Sequence, residues 1–182
     1  MALSPTLWRT CRVLSGETRL ALFRGIVRNP GWSVSQLADA EQISWSRASQ
    51  ELRRLQSRGL VGVERIGRHV RYYPESDPLV PSARPLLRVM QEIFAQGKHP
   101  DNSALARMAK GLSHPRRIDM VRALQEGPLG LSGLRARVRI PFQTLRHHLR
   151  FLREGGWVEA EGKVWKIARN DSPLAQSLLK LL

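Results

Sequence analysis

The sequence predicts a mainly α-helical, α+β fold built from two tandem copies of one helix-turn-helix unit. Three observations lead to this expectation. Within residues 43–61, Ala48, Leu52 and Leu55 recur at helical spacing on one face, and polar residues occupy the opposite face. Residues 140–158 repeat this pattern 97 positions later. In both stretches the helix ends at a glycine that leads directly into a strand-like segment.

The first half shows helices separated by clear stop signals. Ser4-Pro5 suits a helix start, and Asn29-Pro30-Gly31 ends the second helix. Ser33 or Ser35 caps a short third helix, and Ser44 caps the fourth. The predicted elements of this half are helices to about residue 13, over 15–28, after 33 and over 44–58, strands over 60–63 and 69–73 with a turn over 64–68, and a helix from 86 to about 96.

The second half repeats this order after a connector that contains four prolines and a break at residues 97–100. Asn102-Ser103 is expected to cap its first helix, and Gly127-Pro128 stops its second. The remaining predicted elements are a short helix with Leu131, Leu134 and Val138, a helix over 141–154, strands over 157–159 and 163–168, and a final helix over 173–182.

Identical residues recur between the halves at the positions that a duplicated fold needs for its core and helix caps. The offset is 98 before a one-residue deletion and 97 after it. The recurring residues of the first half are Leu7, Arg9, Leu14, Ser15, Arg19, Arg24, Pro30, Ser35, Leu37, Ile43, Leu52, Arg53, Leu55, Gly59, Val61 and Glu64. A helix-turn-helix followed by a hairpin is the winged-helix layout. We therefore expect two winged-helix domains, 1–97 with a C-terminal pairing helix and 98–182.

The charge of the chain indicates a polyanionic partner. The net charge is +15, and residues 1–98 and 99–182 carry 15 basic side chains each. Of the 30 basic residues 25 are arginine, whose planar donor fork fits phosphate and guanine edges. Because both halves are basic, we expect both to contact double-stranded DNA.

Several classes of function are not expected. The single cysteine, Cys11, allows no disulfide framework or cysteine metal cluster, and it corresponds to Ala109, so a small buried side chain is expected. The histidines form no metal or triad spacing, so we predict no catalytic residue, no cofactor and no enzyme. Without a long apolar run or a signal-peptide pattern we expect no membrane contact and a cytoplasmic protein.

Both halves resemble the arsenic-repressor (ArsR) family of bacterial winged-helix transcription regulators. The resemblance rests on LSGETRLALFRGIV, SVSQLADAEQISWSRASQELRRLQSRGLV and GRHVRYY in the first half, and on LSHPRRIDMVRAL, LSGLRARVRIPFQTLRHHLRFLREGGWV and GKVWKI in the second. It implies DNA binding through the second helix of each helix-turn-helix, and pairing through the first and last helices. Family members usually carry one such unit and form homodimers. The third and last helices here lack the cysteine, histidine or acidic ligands of metal-sensing members, so we expect no metal site.

Helix phase and the family pattern together select the candidate DNA-binding residues. Arginine and glutamine on the exposed faces are the residue types that read guanine and adenine edges, and basic hairpin residues reach phosphates. The candidates are Trp45, Ser46, Arg47, Ser49, Gln50, Arg53, Arg54, Phe142, Gln143, Thr144, Arg146, His147 and Arg150 on the helices, and Arg65, Arg68, His69, Arg71, Lys163 and Lys166 on the hairpins. Trp45 and its counterpart Phe142 either touch a thymine methyl group or pack at the helix edge or between domains.

The sequence therefore predicts a sequence-specific DNA-binding transcriptional regulator that uses its two winged helices as an intramolecular pseudo-dimer. A homodimer through the apolar residues Met90, Ile93 and Phe94 stays open, because that helix is more apolar than one partner requires. The alternative is a winged-helix module for protein assembly, chromosome-organising or complex-forming, without sequence-specific DNA binding.

Overall fold

A computed structural model describes residues 6–67, 69–96 and 101–182. The described chain is mainly helical with two small antiparallel sheets, which confirms the predicted α+β winged-helix class. The elements are α1 (Leu7–Leu14), α2 (Glu17–Arg28), α3 (Val34–Ala40), α4 (Trp45–Gln56), β1 (Gly62–Ile66), β2 (His69–Tyr73), α5 (Ala83–Ala95), α6 (Asn102–Gly111), α7 (Pro115–Gln125), β3 (Leu129–Gly130), α8 (Leu131–Val138), α9 (Phe142–Glu154), β4 (Val158–Glu161), β5 (Val164–Ile167) and α10 (Pro173–Lys180). Apart from β3, the order of the first half recurs in the second.

The helix ends follow from local side-chain chemistry. Ser33 caps α3 in a reciprocal capping box with Gln36, as expected for a serine before a short helix. Gly59 and Gly156 adopt positive φ angles of 65° and 72° just past α4 and α9, so both predicted C-terminal glycines are confirmed. Asp101, rather than the predicted Asn102-Ser103 pair, caps α6. The predicted start at Ser4-Pro5 lies outside the described residues.

The first hairpin starts later than the apolar run suggested. Leu60 and Val61 are buried core residues, and pairing begins only at Gly62, which lies opposite Tyr73. The strands then continue to the pair Ile66 and His69. The expectation of a strand over 60–63 and a wide turn over 64–68 is therefore wrong. The first two apolar residues are apolar because they are buried in the core, and they do not pair in the sheet.

The second sheet contains a strand that the sequence pattern did not predict. β3 pairs with β5, and the strand order is β3-β5-β4. In the first half the corresponding contact is a single bridge between Ser33 and Arg71. A two-residue strand has too little length to produce an alternating pattern.

One hydrophobic core extends through both halves of the described chain. α1 packs against α6, α5 packs against α10, and α2 contacts both α5 and α6. Phe23 and Phe94 meet edge to face at 5.8 Å between ring centroids, and Arg24 donates a hydrogen bond to Asn102 across the two halves. The two halves thus cover each other's apolar surfaces. The domain division at residue 97 stays a prediction.

The apolar helix α5 is buried inside the chain. Met90, Ile93 and Phe94 are all less than one-tenth exposed, and α2 and α10 cover them. They are not available to pair two chains, which corrects the expectation of a homodimer through these residues. The apolar face of α5 is wide because the helix contacts both α2 and α10 of the same chain.

Cys11 is fully buried in the same core, as expected from its alanine counterpart. Burial raises the pKa of its thiol to about 12, so the thiolate, which is the reactive form, is not populated at neutral pH. Within the part of the chain that the structure describes, no helix is long and apolar enough to cross a bilayer.

Candidate nucleic-acid interface

The helix α4 is oriented by its apolar side. Ala48, Leu52 and Leu55 are fully buried against α2 and α3. Ser44 caps the helix by accepting a hydrogen bond from the backbone N–H of Arg47 at 3.2 Å. The opposite side of α4 consequently faces solvent, as the periodicity predicted.

Most candidate residues of α4 share this exposed side. Trp45 is 58% exposed and borders the groove between α4 and the first hairpin. The guanidinium of Arg47 donates a hydrogen bond to the Thr18 hydroxyl at 3.2 Å, which joins the exposed side of α4 to the start of α2. The other exposed candidates are Ser46, Gln50 and Arg53.

Ser49 differs from the other candidates, because it is only 6% exposed. It lies at the bottom of a groove of about 530 Å³ between α4 and the first hairpin. Arg53 and Arg65 border this groove from its two sides. The expectation that Ser49 lies on the open face is therefore corrected: its side chain is buried beside the groove.

Arg54 also occupies a different place from the one predicted. It pairs with Glu51 at 2.8 Å and borders a cleft beside α1 rather than the groove beside the hairpin. Glu51 also forms an ion pair with Arg19, at 2.7 Å. Burial opposes ionisation of this carboxyl, but the hydrogen bond and charge of Arg19, together with Arg54, outweigh it and lower the pKa of Glu51.

The helix α9 presents a similar exposed side in the second half. Leu145, Leu149 and Leu152 are buried, and Phe142 is 39% exposed. The Arg146 guanidinium lies 5.8 Å from the Phe142 ring centroid, an interaction that holds the arginine at the start of the helix. The other exposed candidates are Gln143, Thr144, His147 and Arg150.

A cluster of histidine and arginine side chains lies beneath this face. His148 is 8% and Arg117 is 7% exposed. The rings of His148 and His114 are 4.6 Å apart, and Arg117 stacks on Phe151. Burial, reinforced by the charges of His114, Arg117, His147 and Arg116, lowers the pKa of His148 to about 4. His148 is therefore neutral at pH 7.

The first hairpin presents basic side chains at its exposed surface. Arg65, His69 and Arg71 are exposed, although Arg71 also donates to the Gly31 carbonyl at 3.1 Å. That bond ties the second strand to the loop before α3. The candidate Arg68 lies outside the described residues.

The second hairpin is less basic than expected. Lys163 is exposed at the turn. Lys166, in contrast, contacts Glu161 at 2.6 Å and Glu159 at 3.3 Å. The hydrogen bonds that Lys166 donates to the carboxylates of Glu161 and Glu159 raise the pKa of Lys166. Two acidic partners on the same hairpin offset its charge, so Lys166 is a weaker candidate for a phosphate contact than Lys163.

The comparisons with known proteins bear on the second half. No curated protein matches the chain. No group of three or more His, Cys, Asp or Glu residues able to hold a metal occurs within 6–67, 69–96 and 101–182. Residues 114–160, which include α7, α8 and α9, match the model of the arsR family of bacterial regulatory proteins. This segment is therefore similar to the helix-turn-helix of that family of bacterial regulators.

Proposed function

We propose that the chain is a sequence-specific DNA-binding transcription regulator of the cytoplasm, whose two winged-helix units act as an intramolecular pseudo-dimer. The match at residues 114–160 supports DNA-binding regulation through the second unit. The first unit has the same order of helices and hairpin and the same arrangement of buried and exposed helix faces. These likenesses support extending the function to it.

The observation on which the proposal depends most is the polarity of α4 and α9. Each helix buries its leucines and exposes arginine, glutamine or threonine at its N-terminal part. Arg47, Gln50, Gln143 and Arg146 are types that form bidentate hydrogen bonds with guanine or adenine in the major groove. We expect these residues to select the bases.

The packing between the halves supports the pseudo-dimer. Because α1 packs on α6 and α5 on α10, the two reading helices belong to one continuous core. A rigid pair of this kind suits two successive major grooves, about 34 Å apart. The reading faces differ in sequence, so the two half-sites are expected to differ as well.

The hairpins would contact phosphates rather than bases. Arg65, His69 and Arg71 in the first unit and Lys163 in the second are exposed and basic. Such contacts add affinity that falls with salt, and they carry no sequence information.

A binding experiment with variants tests the proposal. The double variant Arg47→Ala/Arg146→Ala should lose discrimination between selected and random duplexes, at about 1–3 kcal/mol for each lost bidentate contact. The control Arg88→Ala removes an exposed arginine of α5 and should keep discrimination. Full discrimination in the double variant, or affinity that does not change with salt, would contradict the proposal.

The alternative function is a winged-helix module for protein assembly, in which an acidic protein meets the basic faces. The surface charge of +15 favours either partner. Lack of duplex binding at low salt, with retention of an acidic protein partner, would favour this alternative.

A further inference from the structure

A cleft lined by arginines lies on the first half, away from the groove between α4 and its hairpin. Its volume is about 500 Å³. α1 borders it on one side, and the end of α4 borders it on the other. Its arginines are Arg9, Arg12, Arg19, Arg54 and Arg58.

These charges are poorly compensated within the chain. Glu51 pairs with Arg19 and Arg54. Arg9 stacks on Trp8 at 5.1 Å. Among the described residues, no carboxylate lies within ion-pair distance of the side chains of Arg12 or Arg58. Arginines held together without counter-charges create a strong positive potential that attracts anions.

The same place in the second half has different side chains. Phe151 and Gly155 occupy the positions of Arg54 and Arg58. The amino group of Lys110, the counterpart of Arg12, lies 5.3 Å from the centroid of the Phe151 ring. The arginine cleft is therefore a property of the first half and is not required by the fold.

We propose that this arginine cleft binds phosphate groups. Guanidinium forks match phosphate oxygens bidentately, and several forks around one cleft favour a ligand with more than one phosphate. The phosphates belong either to a DNA backbone, in which case the inference rests on the proposed function, or to a free polyphosphate. A bound phosphate would join α1, which packs on the other half, to the end of a reading helix.

The test compares two double variants of the full chain in two arms. Arg12→Ala/Arg58→Ala removes two arginines that have no ion-pair partner among the described residues, and neither side chain is buried. The control Arg107→Ala/Lys110→Ala removes the counterparts of Arg9 and Arg12 in the second half. Circular dichroism melts verify that both variants fold.

The first arm measures inorganic tripolyphosphate binding by calorimetry without DNA. We expect the cleft variant to bind at least about tenfold more weakly, the equivalent of about 1.4 kcal/mol, and the control to bind like the wild type. The second arm measures affinity for a random duplex against salt. Loss of about two phosphate contacts would reduce the slope of log K against log salt by about 2.

A change in the first arm identifies free polyphosphate, a change only in the second identifies the DNA backbone, and a change in both means that the cleft accepts either. If the cleft variant behaves like the control in both arms, the inference is wrong. A wild type that binds tripolyphosphate but no duplex would contradict the proposed function while leaving the cleft in place.

Discussion

At the scale of single residues, the two halves differ most informatively at one pair of positions, partly buried in the first half and buried in the second. In the first half Arg19 contacts the carboxylate of Glu51 at 2.7 Å. The counterparts in the second half are Arg117 and His148, and no carboxylate pairs with this arginine among the described residues. Nε and Nη1 of Arg117 are buried without a hydrogen-bond partner. Unsatisfied buried donors are destabilising.

Restoring the carboxylate should therefore stabilise the protein. We expect His148→Glu to raise the free energy of unfolding at pH 7 by about 1–2 kcal/mol, because Arg117 gains a charged acceptor. Urea unfolding measures the change. His147→Glu, one residue earlier on the exposed side, is the control and should have little effect. A destabilised His148→Glu would show that the cluster does not have room for the pair.

The buried histidine also predicts a dependence of stability on pH. The pKa of His148 is about 4 in the folded protein, below the ordinary value of 6.5. Between these values the unfolded chain binds more protons, so stability falls as pH decreases from 6.5 towards 4. At about 1.4 kcal/mol per pKa unit, the loss is on the order of 3 kcal/mol. His148→Gln should show a shallower decline in urea unfolding, whereas a profile parallel to the wild type would contradict it.

At the scale of elements, periodicity predicted the helices well because each one has a buried face. It failed where tertiary packing overrides local pattern. Ser49 has the helical phase of the exposed side of α4, but it is buried beside the groove between α4 and the first hairpin. Lys166 looked like a basic hairpin residue, but its cross-strand neighbours are acidic. The arginine cleft joins α1 to the end of α4, which are distant in sequence, so no spacing within one segment reveals it.

Two helical glycines, Gly111 beside Trp157 and Gly133 in α8, are predicted to respond in opposite ways to replacement by alanine. A Cβ at Gly111 would lie 2.3 Å from the Trp157 ring, whose Nε1 donates to the Met108 carbonyl at 2.7 Å. Gly111→Ala should therefore destabilise the protein by about 1–3 kcal/mol. Gly133→Ala, in the exposed part of α8 with no contact closer than 3.5 Å, should stabilise it by about 0.5–1 kcal/mol. Thermal melts distinguish them, and equal effects would contradict this packing.

The second hairpin predicts unequal contributions from its two lysines. Lys163→Ala should weaken duplex binding and lower the salt slope by about 1, because its charge is free to reach a phosphate. Lys166→Ala should change the slope less, since Glu159 and Glu161 already offset that charge. Titrations at several salt concentrations measure both. An equal decrease for the two variants would mean that the carboxylates release Lys166 on binding.

At the scale of the whole molecule, the sequence indicated duplication but left open which chain covers each apolar helix. The core resolves this for the described residues: α10 and α2 of the same chain cover α5. The helices α4 and α9 thereby belong to one core within a single chain. Under the proposed function, their different side chains, with Arg47 and Gln50 in one and Gln143 and Arg146 in the other, predict an operator without perfect symmetry.

The pseudo-dimer is tested most directly by selecting bound sequences from a random DNA pool. The protein-to-DNA stoichiometry is then measured on the selected sequences. We predict one chain per site and two unlike half-sites whose centres lie about 10–10.5 base pairs apart. A symmetric site bound by two chains would contradict the account. So would selection of a single half-site whose recognition is lost in Arg146→Ala but not in Arg47→Ala.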